Sequence, residues 1–119
     1  MRLFYLFSIM LISTVAKSQN LKCEDFKIGT FKILDSSSKN LIYRTETLQK
    51  EGEDEGTIDW KSECIYELTF VKAKYPELIG KKAKVEIQQI KGSTAFCNST
   101  FDALPGQEFK FEMVKVYDK

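Results

Sequence analysis

The residues available for chemistry in this chain are thiols and carboxylates, because three cysteines are present and histidine is absent. Without histidine, the Ser-His-Asp and Cys-His arrangements of nucleophilic catalysis are excluded, as are histidine-ligated metals. No C-x-x-C pair is present, which argues against a structural zinc site. The glycines are isolated, so neither G-x-G-x-x-G nor G-K-[ST] occurs as a phosphate-binding motif. The sequence therefore assigns no metal, no nucleotide and no other cofactor.

Carboxylates are abundant, and a pair of them can perform the acid and base steps of a glycosidase. Most lie at polar-face or turn positions of the strands predicted below, so a carboxylate-based hydrolase is the least favoured function. The densest group is Glu51–Gly56 (E-G-E-D-E-G), whose spacing does not match the alternating ligands of an EF-hand loop. We interpret this segment as the solvated tip of a hairpin, and we assign no catalytic residue.

Cys23, Cys64 and Cys97 predict one disulfide if the chain reaches an oxidising compartment. We prefer the pair Cys23–Cys64, because it would tether the N-terminal segment to a central strand. Such a bridge closes a loop of about 40 residues, which contributes on the order of 4 kcal/mol to stability. Cys97 would then be a free, buried thiol. The pair Cys64–Cys97 is the alternative.

The N-terminal segment has the composition of a secretory signal peptide. A short basic start precedes the apolar run Leu3–Ile12 and the small-residue pattern Ala16–Ser18. The apolar run is shorter than the roughly 20 residues of a membrane-spanning helix. Cys23 follows polar residues, so the sequence lacks a lipobox. We expect residues 1–18 to be a signal-peptide helix and residues 19–119 to be one domain, periplasmic or secreted.

The exported part of the chain is close to neutral. Cleavage after Ser18 would remove two of the 18 basic residues and none of the 17 acidic residues. The lysines are scattered, so the chain lacks the basic patch that binds nucleic acid or an anionic membrane. We expect no nucleic-acid partner, no membrane span and a monomeric protein.

Alternation of apolar and polar residues predicts an all-β fold. The clearest case is Thr57–Val71, where Ile58, Trp60, Cys64 and Tyr66 fall on one face of a single long strand. Further strands are predicted at 25–34, 41–49, 81–90, 94–101 and 108–117. These six strands form an antiparallel meander, curled into a small calycin-like barrel or half-barrel or folded as a sandwich.

Aromatic residues are frequent on these strands. Their default role is to fill the core of a small barrel. If the sheet stays open, they line a cleft for an apolar ligand instead. Tyr43 and Trp60 are the candidates for the mouth of such a cavity, because both lie near predicted strand ends and carry a polar atom.

The segments Cys23–Phe31 (C-E-D-F-K-I-G-T-F) and Trp60–Tyr66 (W-K-S-E-C-I-Y) resemble a group of small exported proteins and lipoproteins of Bacteroidetes-type bacteria. The resemblance implies a Cys23–Cys64 disulfide, since both residues belong to the pattern and Cys97 does not. It implies no activity. Some members carry the label DNA topoisomerase IV, which finds no support here because a nucleotide loop and a basic surface are lacking.

Three functions follow, in order of preference. The first is a non-enzymatic binding or envelope accessory protein with an unknown protein partner. The second is a calycin-like carrier of a small apolar ligand. The third is the carboxylate-based hydrolase.

Overall fold

The computed structural model describes residues 21–34 and 39–117, which fold as a closed eight-stranded antiparallel barrel. The predicted signal peptide, residues 1–18, lies outside the described residues. Each strand pairs with the next one along the chain, and the last pairs with the first. The strands are β1 (Gly29–Ile33), β2 (Ile42–Arg44), β3 (Leu48–Glu51), β4 (Asp54–Trp60), β5 (Ile65–Lys72), β6 (Lys82–Lys91), β7 (Thr94–Phe101) and β8 (Glu108–Val116). The predicted all-β meander is confirmed, and the sheet closes.

Two of the six predicted strands are each divided in two. The segment 41–49 contains β2, a turn at 45–47 and the start of β3. The long strand predicted over Thr57–Val71 turns back at 61–64, where the Ile65 carbonyl accepts hydrogen bonds from the N–H groups of Lys61 and Ser62. Trp60 then pairs with Tyr66, so even-numbered residues point inward on both β4 and β5. The apolar–polar alternation of the sequence continues unchanged through residues 61–64. The alternation therefore predicted one long strand and gave no sign of the turn.

The predicted first strand, 25–34, is shorter than expected. A 3₁₀ segment, Cys23–Phe26, precedes β1, and Gly29 begins the strand at a φ of 137°. Residues with a side chain rarely adopt this φ, so glycine is required where the chain turns from the 3₁₀ segment into the barrel wall. In β6 the register shifts between Ile87 and Gln89, at the position where the alternation in the sequence also shifts.

One end of the barrel is closed by the 3₁₀ segment Cys23–Phe26. Phe26 is fully buried beneath it, stacked on Phe31 with ring centroids 5.6 Å apart. The disulfide Cys23–Cys64 ties the segment to the β4–β5 turn. The Lys115 ammonium donates to the Asp25 carbonyl at 2.7 Å. We call this the closed end.

The opposite end carries the connections 52–53, 73–81 and 102–107, and we call it the open end. The connection between β5 and β6 contains the short 3₁₀ turn Pro76–Leu78. Several large apolar side chains are exposed at this end: Val71, Tyr75, Ile79, Leu104 and Phe109.

The buried core lies between the two ends. Inward-facing residues of all the longer strands contribute to it, as period two requires. They are Phe26, Phe31, Ile42, Ile58, Tyr66, Leu68, Val85, Ile87, Ala95, Cys97 and Met113. The largest of those that are completely buried, Tyr66, Phe26, Phe31 and Met113, lie from the middle of the barrel towards the closed end.

Candidate functional site

A cavity of about 230 Å³ extends from the middle of the barrel to the open end. Its walls are mostly apolar because they consist of inward-facing strand residues above the packed core. The lining residues are Ile33, Ile42, Leu68, Ala83, Val85, Phe111 and Met113, with the polar residues Arg44, Gln49, Glu51, Tyr66 and Ser99. An eight-stranded barrel has an interior wide enough to hold one small ligand.

The rim of the cavity is aromatic. Phe70 and Phe101 meet edge to face with ring centroids 5.8 Å apart. A shallow apolar depression, lined also by Leu104 and Phe109, shares Ala83 and other wall residues with the cavity. The cavity therefore connects to solvent through the open end.

Arg44 lies at the floor of the cavity and is only 4% exposed. It points inward because it shares a face of β2 with the buried Ile42. Its Nε–H donates to Gln49 Oε1 at 2.8 Å, and Nη1 donates to the Phe26 carbonyl at 2.8 Å. Nη2 donates to the Tyr66 hydroxyl. Arg44 thus connects the cavity floor to the 3₁₀ segment that closes the barrel.

Among the described residues, the hydrogen-bond partners of Arg44 are all neutral groups. A guanidinium stays protonated in proteins. No described carboxylate oxygen lies within the 4.0 Å of a salt bridge from its nitrogens. The guanidinium carbon lies 4.4 Å from the Tyr66 ring centroid and 5.2 Å from that of Phe31, so the ring faces contribute cation–π attraction.

Tyr66 contributes a hydroxyl to the same floor. Burial raises the pKa of the Tyr66 phenol, and the positive charge of Arg44 opposes the rise only in part. The phenol therefore keeps its proton at neutral pH. Because its oxygen accepts from Arg44, the hydroxyl hydrogen is left to donate to a further acceptor.

Glu51 is the acidic residue of the cavity wall. It lies two residues beyond Gln49 on β3, nearer the open end. Burial raises the pKa of Glu51, and the negative charge of Asp54 raises it further. Asp54 itself accepts a hydrogen bond from the Lys74 N–H at 3.0 Å. Glu55 forms an ion pair with Lys50 at 3.2 Å.

The acidic segment 51–56 is therefore only partly the solvated loop that the sequence predicted. The turn itself is confined to Gly52 and Glu53, since β3 ends at Glu51 and β4 begins at Asp54. Gly52 adopts a φ of 60°, as the tight reversal requires. No group of three or more histidine, cysteine or carboxylate side chains in residues 21–34 and 39–117 is arranged to hold a metal ion.

The cysteines are placed as follows. Cys23 and Cys64 form a disulfide with a Cα–Cα distance of 5.3 Å. Cys97 is a free thiol on β7, 2% exposed. Burial raises the pKa of the Cys97 thiol to about 12, although the charge of Arg44 acts in the opposite direction. Cys97 is thus uncharged at neutral pH, and its neutral form is a poor nucleophile.

Neither aromatic residue that we expected at a cavity mouth lines the cavity. Tyr43 faces outward from β2 and is 54% exposed. Trp60 lies at the closed end, where its ring is 4.7 Å from that of Tyr66. Its indole Nε1 is buried without a hydrogen-bond partner among the described residues. Both lie near strand ends, but Tyr43 is on the outer face of the barrel and Trp60 is at the closed end, opposite the cavity entrance.

The sequence did not single out the polar floor. Arg44 and Gln49 are paired neighbours in the β2–β3 hairpin, and curling of the sheet brings Tyr66 of β5 to them across the interior. A signal was present for Arg44, since it alternates in phase with the apolar Ile42 and Leu48. A charged residue on the apolar face of a strand is a candidate for a buried, functional position.

Comparisons with protein-family models, with curated proteins and with solved structures gave no match for this chain. Within the part of the chain that the structure describes, no helix has the length and apolar character needed to cross a bilayer.

Proposed function

We propose that the protein is a non-catalytic carrier of a small apolar ligand, bound inside the barrel and acting outside the cytoplasm. The observation that carries the proposal is the apolar cavity of about 230 Å³ that reaches the open end. Ligand sites are typically concave, apolar and furnished with a few polar groups. The volume lies below the roughly 300–1,000 Å³ of sites for drug-sized molecules, so the ligand is small.

The placement outside the cytoplasm is supported by the disulfide Cys23–Cys64, because such bonds persist in oxidising compartments. The absence of catalysis is supported by the states of the reactive groups. Cys97 is a protonated, buried thiol, Asp54 accepts a hydrogen bond from the Lys74 backbone N–H, and Glu55 pairs with Lys50. Among the described residues, Glu51 is the one carboxylate lining the cavity, whereas a glycosidase mechanism uses two. The resemblance to exported Bacteroidetes-type proteins agrees with this placement.

A second candidate is a protein-binding module, which was the first preference from the sequence. It is favoured by the exposed apolar side chains of the open end, Tyr75, Ile79 and Phe109 among them. Exposed apolar patches commonly mark contact sites. One of them, Phe109, also lines the depression at the entrance to the cavity. A variant that fills the cavity from a wall residue separates the two functions.

The test uses Ala83, which lies on the wall of the cavity near its rim. Ala83→Phe places a ring in the cavity, whereas the matched control Lys84→Phe places the same ring on the outer face of β6. We expect calorimetric titration with 1-octanol to show binding to the wild type and to Lys84→Phe, and at least about tenfold weaker binding to Ala83→Phe.

Equal binding of 1-octanol to both variants would show that the cavity is not the site. If the wild type bound neither 1-octanol nor any small molecule retained on purification from a periplasm, the carrier function would be wrong and the protein-binding module preferred.

A further inference from the structure

We infer that the ligand carries a carboxylate and that Arg44, Tyr66 and Gln49 bind it at the floor of the cavity. The inference rests on the proposed carrier function and names the chemical class of its ligand: a small monocarboxylate with an apolar body. The head group would lie at the middle of the barrel, and the body would extend between Leu68 and Met113 towards the open end.

The first argument is the charge of the floor. Arg44 brings a full positive charge into the barrel, and its three hydrogen-bond partners are an amide oxygen, a backbone carbonyl and a phenol. A buried ion without a counter-ion has a large desolvation cost. A ligand carboxylate would supply the negative charge that the described residues do not place within ion-pair distance.

The second argument is the surplus of donors. The bonds of Arg44 use three of the five N–H groups of a guanidinium, leaving one each on Nη1 and Nη2 without an acceptor among the described residues. The Tyr66 hydroxyl hydrogen and the amide hydrogens of Gln49 add to them, because both oxygens already accept from Arg44. The complementary group is one that accepts only. A carboxylate matches both this requirement and the planar fork of a guanidinium.

The third argument concerns how the floor is held. Arg44 is fixed by Gln49 on the neighbouring strand, by the Phe26 carbonyl and by the Tyr66 and Phe31 rings. A charged group held in this way undergoes little reorganisation when a ligand arrives. Holding the 3₁₀ segment in place accounts for the bond to Phe26. It does not account for the two guanidinium N–H groups that have no acceptor among the described residues.

Glu51 opposes an anionic ligand, because it lies on the same wall above Gln49. The effect of the Glu51 charge on binding therefore shows whether the ligand's head group is an anion at Arg44 or a cation at Glu51. A carboxylate at Arg44 is bound more tightly when Glu51 is neutral, whereas an ammonium ligand would need Glu51 ionised.

The experiment compares three probes with the same eight-carbon chain: octanoate, 1-octanol and octylamine, titrated into the mature protein by calorimetry. We expect octanoate to bind at least about tenfold more tightly than 1-octanol, the factor of a hydrogen bond to a charged group. Octylamine should bind more weakly than either.

Two variants locate the head group without removing Arg44, which also holds the closed end. Tyr66→Phe deletes one hydroxyl and should weaken octanoate binding roughly tenfold, with a smaller effect on 1-octanol. Glu51→Gln should strengthen octanoate binding about threefold by removing a like charge. The outward-facing Tyr43→Phe is the matched control for Tyr66→Phe and should change neither affinity.

The outcomes separate the two proposals. Binding of 1-octanol as tight as that of octanoate would overturn the carboxylate site and leave the carrier function standing. Preference for octylamine, lost in Glu51→Gln, would overturn it in favour of a cationic ligand. Binding of none of the three probes would overturn the carrier function and this inference together.

Discussion

At the scale of single residues, the interior of this barrel is defined by what surrounds Arg44. Its guanidinium is buried by Phe31 and Tyr66 and bonded only to neutral described groups. Burying a charge without a counter-ion costs stability. The carboxylate ligand that we propose would supply the counter-charge that these neutral groups lack.

Cys97 gives the free energy of unfolding a dependence on alkaline pH. Burial raises the pKa of its thiol from 9.0 to about 12. The unfolded chain therefore releases this proton at a lower pH than the folded chain does. The stabilising contribution is complete below about pH 9 and is lost as the pH rises towards about 12.

We expect the decline in stability above about pH 9 to be shallower in Cys97→Ala than in the wild type, because the variant lacks this proton. Urea unfolding at a series of alkaline pH values measures both slopes. The difference between the two slopes is the quantity to compare, because it isolates the contribution of Cys97. Parallel declines in the two proteins would contradict the assignment.

At the scale of elements, the closed end is a distinct structure built from the motif residues. Cys23, Phe26, Gly29 and Phe31 belong to the first half of the motif, and each has a structural task there. The rings of Trp60 and Tyr66, from the second half, meet in a tilted contact at the same end, with centroids 4.7 Å apart. The two segments of the motif, distant in sequence, therefore meet at one end of the barrel.

The disulfide Cys23–Cys64 contributes most to that end. It joins residues 41 positions apart and fixes the 3₁₀ segment to the β4–β5 turn. We expect Cys23→Ala/Cys64→Ala to lower the free energy of unfolding by about 2–5 kcal/mol. Ser62→Ala, an exposed change in the same turn, should alter it by less than about 0.5 kcal/mol. Urea unfolding of both variants gives the values, and equal stabilities would show that the bond does not hold the barrel closed.

At the scale of the whole molecule, closure of the sheet explains both the cavity and the absence of an exposed sheet edge. Every one of the strands β1–β8 in the described residues has a partner on each side. Free edges are the sites at which β-proteins associate, and a closed barrel has none. We expect the mature protein to be a monomer.

Light scattering coupled to size exclusion tests the monomer directly. The exposed apolar side chains of the open end, such as Tyr75 and Phe109, offer a surface for self-association. A dimer that persisted on dilution and dissociated in Phe109→Ser would show that this end, rather than a sheet edge, controls assembly.

The sequence by itself determined the fold class, the positions of most strands and two structural details. The alternation of side chains between the two faces is a local property of an extended chain, so it can be read from the sequence without a structure. It located β6, β7 and β8 and the register shift near Gln89, and the preference for Cys23 with Cys64 agrees with the bond in the structure.

The tertiary structure alone decided where the polypeptide turns back, which face of each strand is inside and what the inside contains. The turn at 61–64 preserves the parity of Trp60 and Tyr66, so no local pattern marks it. Arg44 and Gln49 meet within one hairpin, but Arg44 meets Tyr66 because curling of the sheet brings β2 and β5 face to face across the interior. The cavity arises from the sum of all inward side-chain volumes in a closed sheet, and no single segment of the sequence carries that information.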